Sequence, residues 1–360
     1  TPLSAKLGLA APIIQAPMAG GPSSRELVAA CSAAGALGSF GFAYMQPDDM
    51  KKQCAWVRAQ TDRPFGINLF TAAQPGAIEA GAQRGALDAV AGFYRELGLP
   101  APEPVSAPYA PDLEAQLDAV EEIAPRVFTV HLADLPADRI WKLKAKNIFI
   151  GGSATCVAEA QRLESLGFDF VIAQGGEAGG HRGSYLRDPY SSLTGTLALA
   201  RLVVRAVKLP VIAAGGIMDG AGIAASLALG AQLAQLGTAF VPCPESGAAQ
   251  VHKDLLLSAT EDTTRVTEKF SGKPARGLAN RFMAEMAATN APQLAFPAQN
   301  NVTGKLRQAA AKAGQPDFIA LWAGQAAPLS RALPAAELVA RLQAETVESI
   351  QKLKGMIHAS

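Results

Sequence analysis

Eight short apolar segments, each separated from the next by room for a helix, constrain the fold of this chain more than any other feature. They occupy residues 13–16, 37–40, 65–70, 127–131, 148–150, 170–173, 211–214 and 233–236. Continuous apolar strands alternating with helices mark a parallel sheet buried on both faces. The helices between them are punctuated uniformly. Ser23-Ser24-Arg25-Glu26 supplies an N-cap for a helix running to Ala34, with Gly35 as its stop. Residues 154–166 form a helix ended by Gly167, and residues 219–229 one ended by Gly230. Eight strands in about 240 residues match a (β/α)8 barrel, typically ~250 residues long. An open doubly wound sheet is the alternative. It would want a GxGxxG loop after the first strand, and Ala16-Pro17-Met18-Ala19-Gly20-Gly21 does not have that spacing. The expected fold class is α/β, a TIM barrel with a smaller, mostly helical cap.

Two segments exceed a minimal barrel. Residues 71–112 follow the third strand and end in a proline-rich run. Residues 245–328 follow the eighth, read as mostly helical and are broken at Pro292, Pro297 and Pro316. Both leave the C-terminal end of a strand, so both are expected on the catalytic face. The division is a barrel over 1–244 with an insertion at 71–112, a cap over 245–328, and a segment over 329–360 returning to the barrel. In that last segment an amphipathic helix over 334–357, carrying Leu338, Leu342, Ile350 and Leu353, is expected to close the barrel wall.

Composition excludes several classes. The chain has 360 residues, 49% hydrophobic, enough to bury a large core. Its net charge of +1, without a like-charge block, leaves no footprint for nucleic acid. Cys31, Cys54, Cys156 and Cys243 lie far apart with no CxxC and no histidine cluster, so no metal site is expected. Free thiols suit a reducing, cytoplasmic compartment. Residues 1–11 lack the apolar core of a signal peptide. Residues 220–244 carry no charge and could span a bilayer by length. Their glycines, their polar Ser226, Gln232, Gln235 and Thr238, and a break at Ala231 favour a buried helix followed by a buried strand. No membrane is expected. Apolar cap surfaces are compatible with a homodimer.

Chemistry concentrates in the loops that follow strands. After Phe170-Val171-Ile172 comes Ala173-Gln174-Gly175-Gly176-Glu177-Ala178-Gly179-Gly180-His181-Arg182-Gly183. So many glycines suit neither helix nor strand and let backbone approach a ligand closely. One imidazole in such a loop, at a strand's C-terminal end, marks a candidate active site. Ala214-Gly215-Gly216-Ile217 and Gly237-Thr238-Ala239 follow the seventh and eighth strands. Paired glycine turns there offer backbone N–H groups to a phosphate, at the barrel's usual phosphate position. Gln15, Asn68, Gln174 and Gln235 fall at or near strand ends, where neutral amides can hydrogen-bond a polar heterocycle such as a flavin.

Gln15-Ala16-Pro17-Met18-Ala19-Gly20-Gly21, Gly66-Ile67-Asn68-Leu69-Phe70, the Glu177-Ala178-Gly179-Gly180-His181-Arg182-Gly183 loop, Ala213-Ala214-Gly215-Gly216-Ile217 and Gln235-Leu236-Gly237-Thr238 resemble the nitronate monooxygenases, FMN-dependent TIM-barrel enzymes. The resemblance runs over residues 13–325 and ends in Leu321-Trp322-Ala323-Gly324-Gln325. It implies FMN contacts from Met18, Ala19, Asn68, Gln174, Gly179, Gly216, Gln235, Leu236, Gly237 and Thr238. It implies that His181 is the active-site histidine and Tyr109 a substrate-side tyrosine. It also implies a small nitronate and O2 as the molecules acted on. Some members supply two tyrosines and a lysine from the cap. Here the comparable stretch, Phe296-Pro297-Ala298-Gln299-Asn300-Asn301, has Phe296 as its only aromatic.

Other residues admit two readings. His131 ends a strand and is either a second functional histidine or a structural one. Arg182 either anchors the loop or draws an anion toward His181. Glu177 is either a base or a brace. Trp322 reads as a packing residue, and His252 and His358 as bland helical positions. The competing functions are an FMN barrel that takes hydride from NAD(P)H, of the enoyl-acyl-carrier-protein or quinone reductase type, and a phosphate-binding barrel without redox chemistry.

Overall fold

Eight parallel strands close on themselves in the computed structural model, which describes residues 1–357; His358 lies outside them. In chain order the strands are β1 (Ile13–Gln15), β2 (Gly38–Gly41), β3 (Phe65–Phe70), β4 (Val127–His131), β5 (Phe149–Ala154), β6 (Phe170–Gln174), β7 (Gly180–His181), β8 (Val211–Ala214), β9 (Leu233–Leu236), β10 (Thr264–Thr267) and β11 (Ala275–Leu278). The large sheet runs β1-β9-β8-β6-β5-β4-β3-β2. A parallel bridge between Ile14 and Leu37 joins its two edges, so no strand edge of the barrel is left open.

The helices are α1 (Pro2–Leu7), α2 (Arg25–Ala33), α3 (Pro47–Gln60), α4 (Ala80–Glu96), α5 (Leu113–Ile123), α6 (Ala137–Ala145), α7 (Val157–Ser165), α8 (Thr196–Ala206), α9 (Gly220–Ala228), α10 (Gln250–Leu257), α11 (Arg281–Ala287), α12 (Ala298–Val302), α13 (Gly304–Ala313) and α14 (Ala335–Ile357). Ser24 caps α2 by accepting from the N–H of Leu27, and Asp219 caps α9 by accepting from Gly222. Gly35, Gly167 and Gly230, which end their helices, all take positive φ. The uncharged stretch 220–244 is α9 followed by β9, and no helix among the described residues is long and apolar enough to cross a membrane.

Leu3 and Leu7 of α1, with Leu9, join Leu37, Val127, Phe170 and Leu233 in one buried cluster. These are residues at the N-terminal ends of the strands, so α1 plugs that end of the barrel. The opposite end is left to the cap. Val90, Phe93 and Tyr94 of the 71–112 insertion share a single core with Phe270, Phe282, Met286 and Phe318. The two excursions therefore fold as one body.

Three details differ from the sequence reading. The cap is not mostly helical throughout: β10 and β11 pair antiparallel, and β11 pairs with β7 of the glycine loop. The signal was short, Thr264-Arg265-Val266-Thr267, and its partner strand carries an arginine and a glycine. Ala154 ends β5 and Cys156 is the extended N-cap of α7, so the helix begins at Val157 rather than at Ala154. Finally, α14 docks only by its first half. Leu338 and Leu342 are buried, whereas Ile350 and Leu353 are about half exposed.

Candidate active site

The C-terminal ends of the strands and the underside of the cap enclose a cavity of about 550 Å³. The glycine loop enters it under restraint from two strands. Gln174, the last residue of β6, donates from Nε2 to the carbonyl of His181 (3.0 Å) and accepts at Oε1 from the N–H of Gly183 (2.7 Å). His131, the last residue of β4, donates from Nε2 to the same carbonyl (3.0 Å). That fixes its tautomer, and its Nδ1 accepts from the Ser153 hydroxyl (2.8 Å). His131 is thus a positioning residue for the loop.

The two charged residues of the loop are occupied structurally. Arg182 donates to the carbonyls of Gln174, Gly175 and Ser192, and burial pushes its pKa down to about 10. It anchors the loop. Glu177 accepts from the N–H and the hydroxyl of Thr196, both at 2.8 Å, at the start of α8. It braces the loop.

The His181 ring lies among Phe70 and Phe296, each 5.5 Å away between centroids, and Trp322 at 5.6 Å. The Ser271 hydroxyl donates to the carbonyl of Lys273 (3.1 Å), so it accepts from Nε2 of His181 (2.9 Å). The lone pair of the neutral ring therefore sits on Nδ1, which has no hydrogen-bond partner among the described residues. Burial pushes the His181 pKa down to about 3, and the positive charges of Lys273 and Arg307 act in the same direction. Burial likewise holds His131 and His252 down, each to about 4. All three imidazoles are neutral at neutral pH.

The loops after β8 and β9 carry unsatisfied donors. The N–H groups of Gly215, Gly216 and Gly237 find no acceptor among the described residues. Thr238 accepts the N–H of Gly324 at its hydroxyl oxygen (2.9 Å), leaving its own hydrogen free to donate. The Gln235 side-chain amide has no hydrogen-bond partner among the described residues. Asn68 donates from Nδ2 to Thr129 (2.9 Å to the hydroxyl) and leaves Oδ1 unbonded. This donor set fits a ligand with one phosphate and a polar ring.

Of the residues expected here, Met18, Ala19, Asn68, His131, Gln174, Gly179, His181, Gly216, Gln235, Gly237 and Thr238 line the cavity. Leu236 does not; it is buried in the barrel wall. Tyr109 is buried in the cap core, its N–H bonded to Gln74 and its carbonyl to Asn301. Phe296 packs on the His181 and Phe70 rings. Gln15 is sealed from the cavity and bonded at both ends, to Ser39 (2.9 Å) and Ser23 (3.0 Å). Sequence reasoning passed over Tyr44, Arg307 and Lys312, which line the cavity, and read His252 as bland although it lines the cavity too. The one available signal was α13 itself, which carries Lys305, Arg307 and Lys312 with no acidic residue.

The family model for nitronate monooxygenase matches residues 2–345 of this chain. The chain belongs to the nitronate monooxygenase family. A nitronate monooxygenase of Paraburkholderia phytofirmans is 44% identical over 97% of this chain and 95% of its own length. The solved nitroalkane oxidase of Streptomyces ansochromogenes superposes with a TM-score of 0.90 at 39% identity, covering 98% of this chain and all of that one. FabK from Thermotoga maritima follows with a TM-score of 0.78 at 31% identity, covering 99% of each chain. Nitronate monooxygenases are flavin-dependent oxidoreductases, so this chain is an enzyme and the non-redox reading is set aside.

The buried histidines make stability depend on pH in a stated direction. His131, His181 and His252 are neutral in the fold but protonate near 6.5 once unfolded. Between about pH 6.5 and 4 the unfolded chain binds more protons, so stability is full above 6.5 and falls as pH drops through that window. Urea midpoints measured from pH 8 to 5 should decline toward acid, with a limiting slope of ~4 kcal/mol per pH unit if all three rings contribute. A flat profile would mean that the rings titrate in the folded protein as they do in the unfolded chain.

Proposed function

We propose that the protein oxidises alkyl nitronates with O2 to a carbonyl compound and nitrite, and that its flavin is FMN. The observation that carries this reading is that an unbonded His181 Nδ1 and unbonded glycine N–H groups belong to the lining of one cavity. One phosphate-type site, with no separate adenosine fingerprint, favours FMN over FAD. The N–H groups of Gly215, Gly216 and Gly237 and the Thr238 hydroxyl would hold the phosphate, and Gln235 and Asn68 Oδ1 would meet the polar edge of the ring. When bound, FMN supplies the electron acceptor and the reactivity toward O2.

His181 sets which form of the substrate is used. A neutral imidazole with Nδ1 free can take the α-proton of a nitroalkane. With its pKa held near 3 by burial it is a weak base. That favours a substrate that arrives already ionised as the nitronate, for which no proton has to be removed. The aromatic walls of Phe70 and Trp322 keep water from the reacting carbon. The unpaired cysteines, three of them buried, suit a reducing compartment such as the cytoplasm.

The phosphate assignment is tested best at Gly237. Gly216 has φ +68°, so any side chain there strains the turn itself. Gly237 has φ −103°, and an added Cβ would come no closer than 3.5 Å, to Ala16. Gly237→Val should purify folded but with little flavin, read by absorbance and by mass spectrometry of the released cofactor. Full FMN occupancy in that variant would place the phosphate elsewhere.

For His181→Asn, nitrite release is to be measured from a nitroalkane and from its preformed nitronate. Turnover of the neutral form should fall roughly 10²–10⁴-fold, with a smaller loss for the nitronate. Equal turnover of both forms by variant and parent would remove His181 from the chemistry.

A further inference from the structure

Three hydroxyls line the cavity, and two are committed. Ser153 donates to Nδ1 of His131 (2.8 Å), and Thr238 accepts from the N–H of Gly324 (2.9 Å) beside the turns proposed for the phosphate. The third, on Tyr44, has no hydrogen-bond partner among the described residues, and protein does not close it off. Tyr44 is nevertheless held in place. β2 and β3 pair Gly41 with Asn68, and the N–H of Phe42 continues the ladder to the Asn68 carbonyl (3.0 Å). The chain then turns, with the N–H of Met45 donating back to Phe42 (3.0 Å). Gln116 of α5, itself buried, donates from Nε2 to the carbonyls of Phe42 (3.1 Å) and Met45 (2.8 Å). The turn sets the Tyr44 ring edge-on to Phe70, 6.0 Å between centroids at 79°, and His181 meets Phe70 in the same way, at 5.5 Å and 78°. Burial pushes the Tyr44 pKa up to about 12 against the opposing charge of Arg307, so the hydroxyl keeps its proton at neutral pH. A turn tied at both ends that presents one unpaired donor to a cavity suits a ligand acceptor.

We infer that the Tyr44 hydroxyl donates a hydrogen bond to a nitro oxygen of the substrate. The inference rests on the proposed nitronate chemistry and adds to it a residue from the loop after β2. When the α-proton leaves for Nδ1 of His181, the electron pair left on carbon moves onto the two nitro oxygens, where a nitronate carries its charge. Nδ1 of the neutral ring can only accept, so it cannot serve those oxygens; they need a donor. The glycine N–H groups belong to the loops after β8 and β9 and are taken by the proposed phosphate, and Phe70 has no polar atom. Tyr44, which shares the Phe70 ring with His181, supplies an O–H. A hydrogen bond to an anionic oxygen is stronger than one to a neutral oxygen, so this one tightens as charge builds.

Tyr44→Phe removes the hydroxyl and keeps the ring on Phe70. With ethylnitronate its KM should rise roughly 10- to 100-fold with kcat little changed, because a preformed anion loses the bond already in the ground state. With neutral nitroethane the loss should fall mainly on kcat, because charge reaches the oxygens only as the proton leaves. Equal losses in the same constant for both substrates would assign Tyr44 to the packing of Phe70 and overturn the inference. Nitrate, a planar oxyanion with no α-carbon, gives a reading without turnover: by calorimetry on the holoenzyme, it should bind Tyr44→Phe roughly 10-fold or more weakly than the parent. Unchanged kinetics and nitrate affinity with the flavin intact would overturn the inference while leaving nitronate oxidation standing. Loss of FMN from Tyr44→Phe at full folding would assign the hydroxyl to the cofactor and also overturn it. If the parent oxidises neither substrate yet its nitrate binding needs Tyr44, the reaction proposed above fails and the oxyanion donor stands.

Discussion

The His181 carbonyl accepts two hydrogen bonds, one from Gln174 and one from His131, and the site depends on that junction. It sits one residue along the backbone from the Gly183 side of the same clamp, so a flexible glycine loop is held at both faces of a single turn. The clamp works only if β4 and β6 present their last residues at the same height. Their shared neighbour β5 sets that register, pairing Val130 with Gly152 and Ala173 with Ala154. Gly151 of β5 leaves room for the Phe170 ring, which any Cβ there would strike. From above, Ala275 of the cap pairs with His181. Barrel and cap must therefore both be formed before the imidazole is aimed.

Burial decides the electrostatics of the site. Three aromatic rings around His181 strip it of solvent, and this outweighs every other influence on its protonation. The nearby charges that remain unscreened are positive, and the two glutamates of the region, Glu159 and Glu177, are held by backbone N–H groups of Thr155 and Thr196. Glycine turns add further positive potential through unbonded N–H groups. A cavity of this kind accepts anions and leaves its histidine uncharged.

Much of this was legible in the sequence, for identifiable reasons. Each barrel strand is an apolar run bounded by glycine or a cap residue, so all eight could be placed, and with them the loops that follow. The loop glycines marked the turns proposed for the phosphate, where Gly215 and Gly216 take the positive φ that favours glycine. Side-chain roles were less legible. Four strand-end amides look alike in sequence, yet Gln15 and Gln174 are bonded at both ends, whereas Gln235 has no partner among the described residues. Tyr109 follows a proline-rich run that points it anywhere; the structure buries it in the cap. Tyr44 and His252 lie on an ordinary turn and an ordinary cap helix, and their meaning comes from what is missing around them, which no spacing records.

The central claim is that His181 is a neutral imidazole with its proton on Nε2 and its lone pair on Nδ1. Nitrogen-15 NMR of histidine-labelled holoenzyme, titrated from pH 8 to 5 and assigned with the His181→Asn variant, measures both properties at once. The account predicts one protonated and one unprotonated ring nitrogen for His181 throughout that range, with the proton on Nε2. An imidazolium signal with a midpoint near 6.5, or a proton resident on Nδ1, would contradict it.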